Sequence, residues 1–531
     1  MGISLLMYRQ LFSRLLPLIT LGLFLITSAC KQGYKNFDEL LTSPEILEVA
    51  PSKRVPMGAM VTFQTKEPVS ISYAIPGASP INRKFSTPSI RHEIPIIGLY
   101  PDTVNHVQLT ATTATGKNLE KDIEVAIGPV PDFLPDIDIV KADRNRMEPG
   151  MHLTETLIAV NGRFTYYILV FDDQGVIRWY LDLSEFQEIV YSPLRIHNGH
   201  WFFVHWQQFL ELDDLGREVS KGVIPGYGVN HEVVEVRPNV YIMGASRADT
   251  KVYNHGREVS SRFDHIIEWD RTQNKVTWEW DMRDVEDVDR QVFPPDYGQD
   301  FAADWFHVNS IIPLNQDQGL IVSGRNQGVI KIDRRNNLQW ILAPHQGWEK
   351  GGFDGNGLDT RKYLLQAVGD DGKPYPEPVQ QGVELTDFVW PTGQHSVHLL
   401  GNGHLLMFDN GLSPAFQTKE RFSRAVEYQV DEANKTVQQV WSFGREEGLD
   451  LFSPVTSSVY PLEKTGNLLI TAGNVRLGEL PPHARMLEVT YPDKEVVFEA
   501  NLYLKDARGT KAAEWAQFDL VYRGHRYQFI P

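Results

Sequence analysis

The stretch Gly328-Val-Ile-Lys-Ile-Asp-Arg-Arg-Asn-Asn-Leu-Gln-Trp340 contains a pattern that recurs along this chain and indicates its fold. An alternating apolar strand leads into a polar turn, and a second strand follows, as in a β-hairpin. The same pattern returns at Tyr167–Tyr180, Phe209–Arg217, His265–Trp278, Ala425–Val437 and Met486–Val497. Repetition of one hairpin along a chain is typical of β-propellers, in which each repeat is one blade. We therefore predict an all-β protein in which residues 136–531 form a six-bladed β-propeller.

A second, smaller β domain is predicted before these repeats. Short alternations of apolar and polar residues occur at 45–49, 60–63, 69–73 and 92–96, with Gly and Pro residues between them. Patterning with a period of two over about 90 residues is typical of a small β-sandwich. Proline recurs in the segment that follows, which favours a stiff linker. We expect a β-sandwich domain at 45–135.

The single cysteine of the chain, Cys30, ends a segment that has the layout of a secretory signal. Two arginines precede an apolar run at Leu15–Ile26, and small residues lead up to the cysteine, as in a lipoprotein signal peptide. The run is too short for a comfortable transmembrane helix, which needs about 20 apolar residues. We expect residues 1–29 to be removed as a signal peptide, Cys30 to carry lipid, and residues 30–44 to form a tether.

The expected location is the bacterial cell envelope, on the periplasmic side, with a lipid anchor in the outer membrane. Lys31 rather than Asp follows the cysteine, so nothing resembles an inner-membrane retention signal. A soluble secreted form and an uncleaved anchor are the alternatives. The net charge of −17 argues against nucleic acid as a partner, because the chain has no basic excess to neutralise phosphates. An anionic substrate would need a local positive pocket.

Three histidines occupy equivalent positions in the predicted propeller. His231, His307 and His395 each open an inner hairpin of a blade, and innermost strands line the channel, so the three side chains should converge. Asn309 lies two residues after His307 on one strand face, and Arg325 ends the neighbouring strand. Arginine offers a rigid fork of donors for sulfate or phosphate, and neutral histidine can act as nucleophile or general base. These residues predict a site for a tetrahedral oxyanion.

Other functions fit parts of the same pattern. Three neutral imidazoles could hold Zn²⁺ or a similar ion, which would favour a metal-dependent propeller hydrolase or lyase. No carboxylate recurs at the histidine positions, however, and the adjacent Arg325 would repel a cation. A non-catalytic propeller that binds envelope partners is a third hypothesis, in which the convergence of the histidines has no chemical role.

The same stretches resemble the bacterial PAPS-independent arylsulfate sulfotransferase family. The strongest similarity lies in His307–Asp333, in Thr392–Ser396 with its Gly-Gln-His sequence, and in Leu405–Gly411. The resemblance covers about 151–531, and the upstream β domain is more loosely similar to the family's N-terminal domain. It implies a propeller enzyme that moves a sulfuryl group from an aryl sulfate donor to a phenolic acceptor without a nucleotide, a metal or any other cofactor.

The resemblance also implies roles for individual residues. His395 would be the nucleophile that becomes sulfohistidine, and His231 would assist the phenol oxygen. The sulfuryl oxygens would be bound by His307, Asn309 and Arg325. A hydroxyl group from the last blade often joins the site in this family, and Thr456 and Ser457 are the candidates here. Whether the protein is a monomer or a homodimer stays open.

Overall fold

The computed structural model of this chain describes residues 33–160, 163–186, 191–290, 304–315, 319–412, 421–505 and 519–529. The expected signal peptide and Cys30, the expected site of lipidation, lie outside the described residues. The described part is almost entirely β-structure, as predicted. In these ranges no helix is both long enough and apolar enough to cross a membrane.

The N-terminal domain contains a short helix and five strands, which are α1 Phe37–Leu40, β1 Ile46–Val49, β2 Ala59–Ile75, β3 Ile81–Ile96, β4 Thr103–Thr112 and β5 Asn118–Ile127. The strands form one antiparallel sheet in which β1, β2, β4 and β5 are neighbours and β3 pairs with β2. Alternating buried residues of β2, such as Phe63, Ile71 and Tyr73, point into its core. The predicted strands 60–63 and 69–73 are one long strand, and a shift in its pairing register after Gln64 separates the two halves.

The prediction of a tether over residues 30–44 is wrong for its second half. Asn36 caps the short helix α1 by accepting a hydrogen bond from the Glu39 backbone N–H at 2.9 Å. Phe37 and Leu40 are buried, and the Phe37 ring packs edge-on against Phe63 with centroids 5.5 Å apart. The apolar residues within this largely polar segment therefore belong to the core of the N-terminal domain.

Six sheets of four or five strands follow, antiparallel except for one short parallel edge strand in the fifth, and form the blades of a six-bladed propeller. Each repeated hairpin of the sequence is, or begins, the third and fourth strands of one blade, counted from the axis, and blades five and six have one further strand outside it. The first blade contains β7 Met151–Val160, β8 Arg163–Phe171 and β9 Ile177–Asp182, and the second contains β10 Tyr191–Arg195, β11 Trp201–His205, β12 Gln208–Leu212 and β13 Glu218–Val223. The third contains β14 Tyr227–Arg237, β15 Val240–Arg247, β18 His265–Asp270 and β19 Lys275–Asp281. A separate hairpin, β16 Lys251–Asn254 and β17 Arg257–Ser260, is inserted in the third blade.

The remaining strands complete blades four to six and close the ring. The fourth blade contains β20 Val308–Pro313, β21 Leu320–Gly324, β22 Gly328–Ile332 and β23 Leu338–Leu342, and the fifth contains β24 Gln366–Ala367, β25 His395–Leu399, β26 Leu405–Asp409, β27 Arg424–Asp431 and β28 Thr436–Phe443. The sixth contains β29 Ser458–Pro461, β30 Leu468–Val475, β31 His483–Val489 and β32 Val496–Tyr503. The closing strands are β6 Asp136–Ala142 and β33 Leu520–Tyr527. The connections include α2 Glu377–Gln380 and the 3₁₀ turns Met282–Asp284, Thr360–Tyr363 and Gly448–Asp450.

Two long-range pairings join the beginning and end of the propeller. Strand β33, at the C-terminus, pairs with β7 and is the innermost strand of the first blade. Strand β6, the first after the linker, pairs with β32 and lies outermost in the sixth blade. Because both closures bring distant parts of the chain together, residues of β33 reach the axis beside the innermost strands of the other blades.

Candidate active site

The three histidines lie where the innermost strands depart from regular pairing. His231 and His307 have left-handed backbone conformations, with φ of 50° and 60°, and Ser396 beside His395 has φ of 54°. The pairing register of each innermost strand shifts at or just after its histidine. Such bulges redirect side chains and are common beside active sites. Here they accompany the convergence of the three imidazoles.

His395 is held in one tautomer by two acceptors. Its Nδ1 lies 2.9 Å from the Gly393 carbonyl oxygen and 2.8 Å from Asn410 Oδ1. Since a carbonyl oxygen can only accept, Nδ1 carries the proton and Nε2 keeps its lone pair. Burial, reinforced by the positive charge of Arg325, lowers the pKa of His395 to about 3. The ring is therefore neutral near pH 7, with a nucleophilic nitrogen available.

The rings of His231 and His307 are in contact with each other, with their centroids 4.5 Å apart. His231 Nδ1 lies 2.9 Å from the hydroxyl oxygen of Tyr522, and His307 Nδ1 donates to Asp304 Oδ2 at 2.7 Å. Burial lowers the pKa of His231 well below its usual range, and the neighbouring His307 acts in the same direction. His231 is thus neutral and able to accept a proton.

Burial is the largest cause that lowers the pKa of His307 well below its usual range, and the positive charges of Arg325 and Arg262 lower it further. The Asp304 carboxylate favours the charged ring and opposes this shift, because it accepts the Nδ1–H bond. The same contact fixes the proton on Nδ1, so the other ring nitrogen of His307 can face a substrate.

Arg325 supplies the positive charge of the site. Its backbone N–H donates to the His307 carbonyl oxygen at 3.0 Å, directly after the end of β21. Its guanidinium lowers the pKa of His231, His307 and His395, so it lies within electrostatic reach of all three rings. A buried cation among neutral imidazoles is a local positive pocket in a chain of net charge −17. This arrangement suits a tetrahedral oxyanion.

Asn309 supports the strand that carries His395. Its Nδ2 donates to the Gln394 carbonyl oxygen at 2.7 Å, and the Gln394 amide donates back to Ser323 Oγ at 3.0 Å. These bonds join blade four to the residue just before His395. The structure thus gives the Asn309 side chain a positioning contact, and its direct contact with a sulfuryl oxygen stays a prediction.

Thr456 and Ser457 lie beside the site, but their hydroxyls are engaged elsewhere. Thr456 Oγ1 donates to the Val521 carbonyl oxygen at 2.9 Å, and Ser457 Oγ lies 2.9 Å from Ser453 Oγ. The Thr456 carbonyl oxygen accepts a hydrogen bond from Asn410 Nδ2 at 3.1 Å. The turn at these residues therefore holds Asn410 in place, and their contact with substrate stays a prediction.

Reasoning from the sequence gave no role to Asn410, Asp304 or Tyr522. Asn410 follows β26 directly, and the pairing of β26 with β25 places that end beside His395. Asp304 precedes His307 by three residues, a spacing at which a carboxylate can reach back to the ring. Tyr522 reaches the site only because the closing strand β33 returns to the axis of the propeller. No local pattern in the sequence around Tyr522 indicates that return.

The arrangement favours anion chemistry over a metal centre. Within the described ranges, no group of three or more His, Cys, Asp or Glu side chains is placed to hold a metal ion. The Nδ1 atoms of the three histidines instead each contact a different protein partner, Asn410, Asp304 and Tyr522. The imidazole triad that a metal-dependent hydrolase or lyase would require is not formed by the described residues.

Comparison with known proteins agrees with this chemistry. Residues 137–511 match the family model described as arylsulfotransferase, and residues 46–128 match the arylsulfotransferase Ig-like domain. The chain is 28% identical over 385 residues to the arylsulfate sulfotransferase AssT of Escherichia coli. The aligned region covers 63% of this chain and 62% of that protein. The AssT of Lelliottia amnigena is 27% identical over 384 residues, with the same coverage.

The matched region thus spans 62% of the length of these curated relatives. Among solved structures, the Pan2 WD40 domain of Neurospora crassa matches at 7% identity with a TM-score of 0.31, over 72% of this chain and 92% of that one. A score this low does not establish a shared fold. The family models, by contrast, match most of the sequence, in both of its domains, and on that ground this chain belongs to the arylsulfotransferase family.

Proposed function

We propose that this protein moves a sulfuryl group from an aryl sulfate to a phenol, without a nucleotide donor, in two steps through a sulfohistidine at His395. The observation that carries the proposal is the state of His395: buried, neutral, protonated on Nδ1 and adjacent to the charge of Arg325. Membership in the arylsulfotransferase family supports the same reaction.

In the first step His395 Nε2 attacks the sulfur of the donor. The new N–S bond forms as the S–O bond to the aryl group breaks, and the aryloxide leaves with the electron pair of that bond. The ring becomes positive, and the Gly393 carbonyl oxygen and Asn410 Oδ1 stabilise it by accepting the Nδ1–H bond. Arg325 binds the sulfuryl oxygens because its guanidinium matches their negative charge, with Asn309 as a second predicted ligand. His307, the third predicted ligand, donates to a sulfuryl oxygen only when both of its ring nitrogens carry a proton, a state that the Asp304 carboxylate favours.

In the second step the phenolic acceptor takes the place of the aryloxide. His231 accepts the phenol proton as the phenol oxygen attacks sulfur, and the N–S bond breaks to return a neutral His395. The neutral state of His231 at neutral pH suits it to this role. Donor and acceptor use one site in turn, so ping-pong kinetics are expected.

The test is an assay of purified protein with 4-nitrophenyl sulfate and phenol and no added nucleotide. We expect nitrophenol release that depends on phenol, with parallel lines in double-reciprocal plots when both substrates are varied. His395→Ala should abolish release, while the exposed His106→Ala in the N-terminal domain serves as the matched control. Retention of substantial transfer by the His395 variant, or no release over a panel of aryl sulfates, would contradict the proposal. The second result would favour a non-catalytic binding propeller.

We also propose that the mature protein is anchored by lipid at Cys30 to the periplasmic face of the outer membrane. The support is the signal-like segment before the only cysteine of the chain. Growth of the expressing bacterium with a clickable fatty acid should label the protein, and Cys30→Ser should abolish the label and shift the protein to the soluble fraction. Membrane retention of an unlabelled parent protein would contradict this anchor.

A further inference from the structure

A partly exposed aromatic ring lies against two of the site histidines. The centroid of the Phe263 ring is 5.8 Å from that of His231 and 5.6 Å from that of His307, and the rings meet edge to face in both cases. Phe263 is only partly buried, whereas His395 and Arg325 are buried. Phe263 therefore offers an aromatic surface beside the imidazoles to which the proposed function assigns the substrate oxygens.

The backbone holds Phe263 in a conformation that a bulky residue rarely adopts. Its φ is 59°, in the left-handed region. The Phe263 N–H donates to Ser246 Oγ at 2.8 Å, and its carbonyl oxygen accepts from the Val308 N–H at 3.0 Å. Val308 directly follows His307, so the strand that carries this histidine also fixes the ring beside it. Backbone strain of this kind is concentrated at ligand-binding and active sites.

Arg262 brings a second positive charge to the same place. Its side chain is exposed, and its guanidinium carbon lies 5.4 Å from the centroid of the Phe263 ring, as in a cation–π contact. After burial and Arg325, the charge of Arg262 is the third cause that lowers the pKa of His307. Arg262 is therefore within electrostatic reach of the site and is open to solvent.

No carboxylate of the described ranges forms an ion pair with Arg262. Asp264, two residues further on, is buried and engaged elsewhere, since it contacts His265 Nδ1 at 2.6 Å and accepts from the Trp305 indole N–H at 3.2 Å. The exposed Arg247, by contrast, has Glu279 at 3.6 Å. In a chain of net charge −17, Arg262 thus keeps an exposed positive charge that can attract an anion.

We propose that Arg262 binds a second negative group on the substrate, such as a carboxylate or sulfate carried by the aryl ring, while that ring packs on Phe263. This rests on the proposed function, which places the transferred sulfuryl group at His395 and Arg325. The protein then selects phenols and aryl sulfates that carry an additional anionic group over neutral or cationic ones. A guanidinium suits this role, because it pairs with carboxylate or sulfate through two donors and also packs on aromatic rings.

Three acceptors of similar phenol reactivity separate charge from chemistry. In 4-hydroxyphenylacetate, 4-hydroxyphenylacetamide and tyramine, the side group is negative, neutral and positive, and methylene groups keep it from the ring. With 4-nitrophenyl sulfate as donor, kcat/KM for the carboxylate should exceed that for the amide by about two- to fivefold, the factor that corresponds to an exposed ion pair. Tyramine should be the poorest acceptor, and added salt should weaken the preference.

Variants of Arg262 test the assignment directly. Arg262→Ala should bring the three acceptors close to equal kcat/KM, and Arg262→Glu should make tyramine the best of them. Arg335→Ala removes an equally exposed positive charge from the outer hairpin of blade four and is the matched control, in which the parent order should persist. Phe263→Leu should raise KM for all three acceptors and leave their order unchanged.

The possible results separate this inference from the proposed function. Equal use of the three acceptors by the parent protein, or the same preference in the parent and in Arg262→Ala, would overturn the role of Arg262 while the sulfotransferase assignment stands. A parent protein that releases no nitrophenol with any acceptor would refute the proposed function and this inference with it. A preference for the carboxylate that is lost in Arg262→Ala and kept in Arg335→Ala supports the inference.

Discussion

The protonation state of His395 gives a prediction about pH. Its pKa of about 3 means that the ring stays neutral as pH falls from 8 to 5, so kcat/KM for 4-nitrophenyl sulfate should lack an acid limb near the ordinary histidine pKa. In Asn410→Asp a carboxylate would replace the amide oxygen that accepts the Nδ1–H bond, and would favour the charged ring. As the pH is lowered, the Asn410→Asp variant should therefore lose activity at a higher pH than the parent protein does.

The measurement is a pH profile of donor kcat/KM for both proteins. Asn410→Leu removes the acceptor without adding charge, and it should lower the rate at all pH values without moving the acid limb to higher pH, because the bond to Asn410 raises the pKa of His395. An acid limb near the usual histidine pKa in the parent would show that His395 is not held neutral in the way its contacts indicate.

Arg325 should contribute to the reaction with the donor mainly through the planar pair of N–H donors of its guanidinium. Arg325→Gln removes the positive charge, and donor kcat/KM should fall by about 10²–10³, the usual cost of losing one preorganised donor to a developing anion. Arg325→Lys keeps the charge but not the planar pair of donors, and should recover only part of the loss. Full recovery of activity by Arg325→Lys would contradict this prediction, because it would mean that the charge of this residue suffices without the planar pair of donors.

At the scale of elements, the packing of β30 against β33 determines where Tyr522 lies. A Cβ at Gly473 of β30 would overlap the Val521 carbonyl oxygen and would lie 2.7 Å from Thr456 Oγ1. Gly473→Ala should therefore push β33 outward, lower the free energy of unfolding by about 1–3 kcal/mol, and reduce transfer.

Thermal unfolding followed by circular dichroism tests this prediction, with Gly401→Ala as control. Gly401 lies in a turn where nothing approaches an added Cβ within 4 Å, so that variant should match the parent. Identical melting of the two variants would indicate that β33 is not tightly packed against β30.

The blades could be predicted from the sequence because each outer hairpin is a local pattern of alternating residues around a polar turn. Strand β2 could not, since the polar Lys66 and Glu67 before Pro68 look like a turn, yet the strand pairs on both sides of an irregularity there. Likewise His231, His307 and His395 are marked by their place in the repeat. Asn410 and Tyr522 depend on which strand ends meet after folding, and that information is not local.

At the scale of the whole molecule, Arg178 joins the two domains. It lies in the first blade, where it pairs with the buried Asp172 at 3.0 Å, and it donates to the Ser79 and Gly98 carbonyl oxygens of the N-terminal domain. Its guanidinium also lies 3.5 Å from the centroid of the Tyr100 ring. The N-terminal domain is therefore packed on the propeller by a buried charge.

Arg178→Ala would leave Asp172 buried without its ion-pair partner, which typically costs about 3–5 kcal/mol. We expect the single unfolding transition of the parent to separate into two, one for each domain. Arg144→Ala, which removes a half-exposed partner of Asp173 nearby, should have an effect of about 1 kcal/mol or less. Differential scanning calorimetry distinguishes these outcomes, and unchanged cooperativity in Arg178→Ala would show that the domains are coupled by other contacts.

In the proposed reaction, His395 carries the sulfuryl group between the two substrates. Protein mixed with 4-nitrophenyl sulfate in the absence of acceptor, quenched under alkaline conditions and digested, should yield the peptide containing His395 with the added mass of one SO₃ group. Addition of phenol before the quench should remove that adduct and yield phenyl sulfate. An active enzyme that never shows the adduct, or shows it on a different residue, would contradict the account.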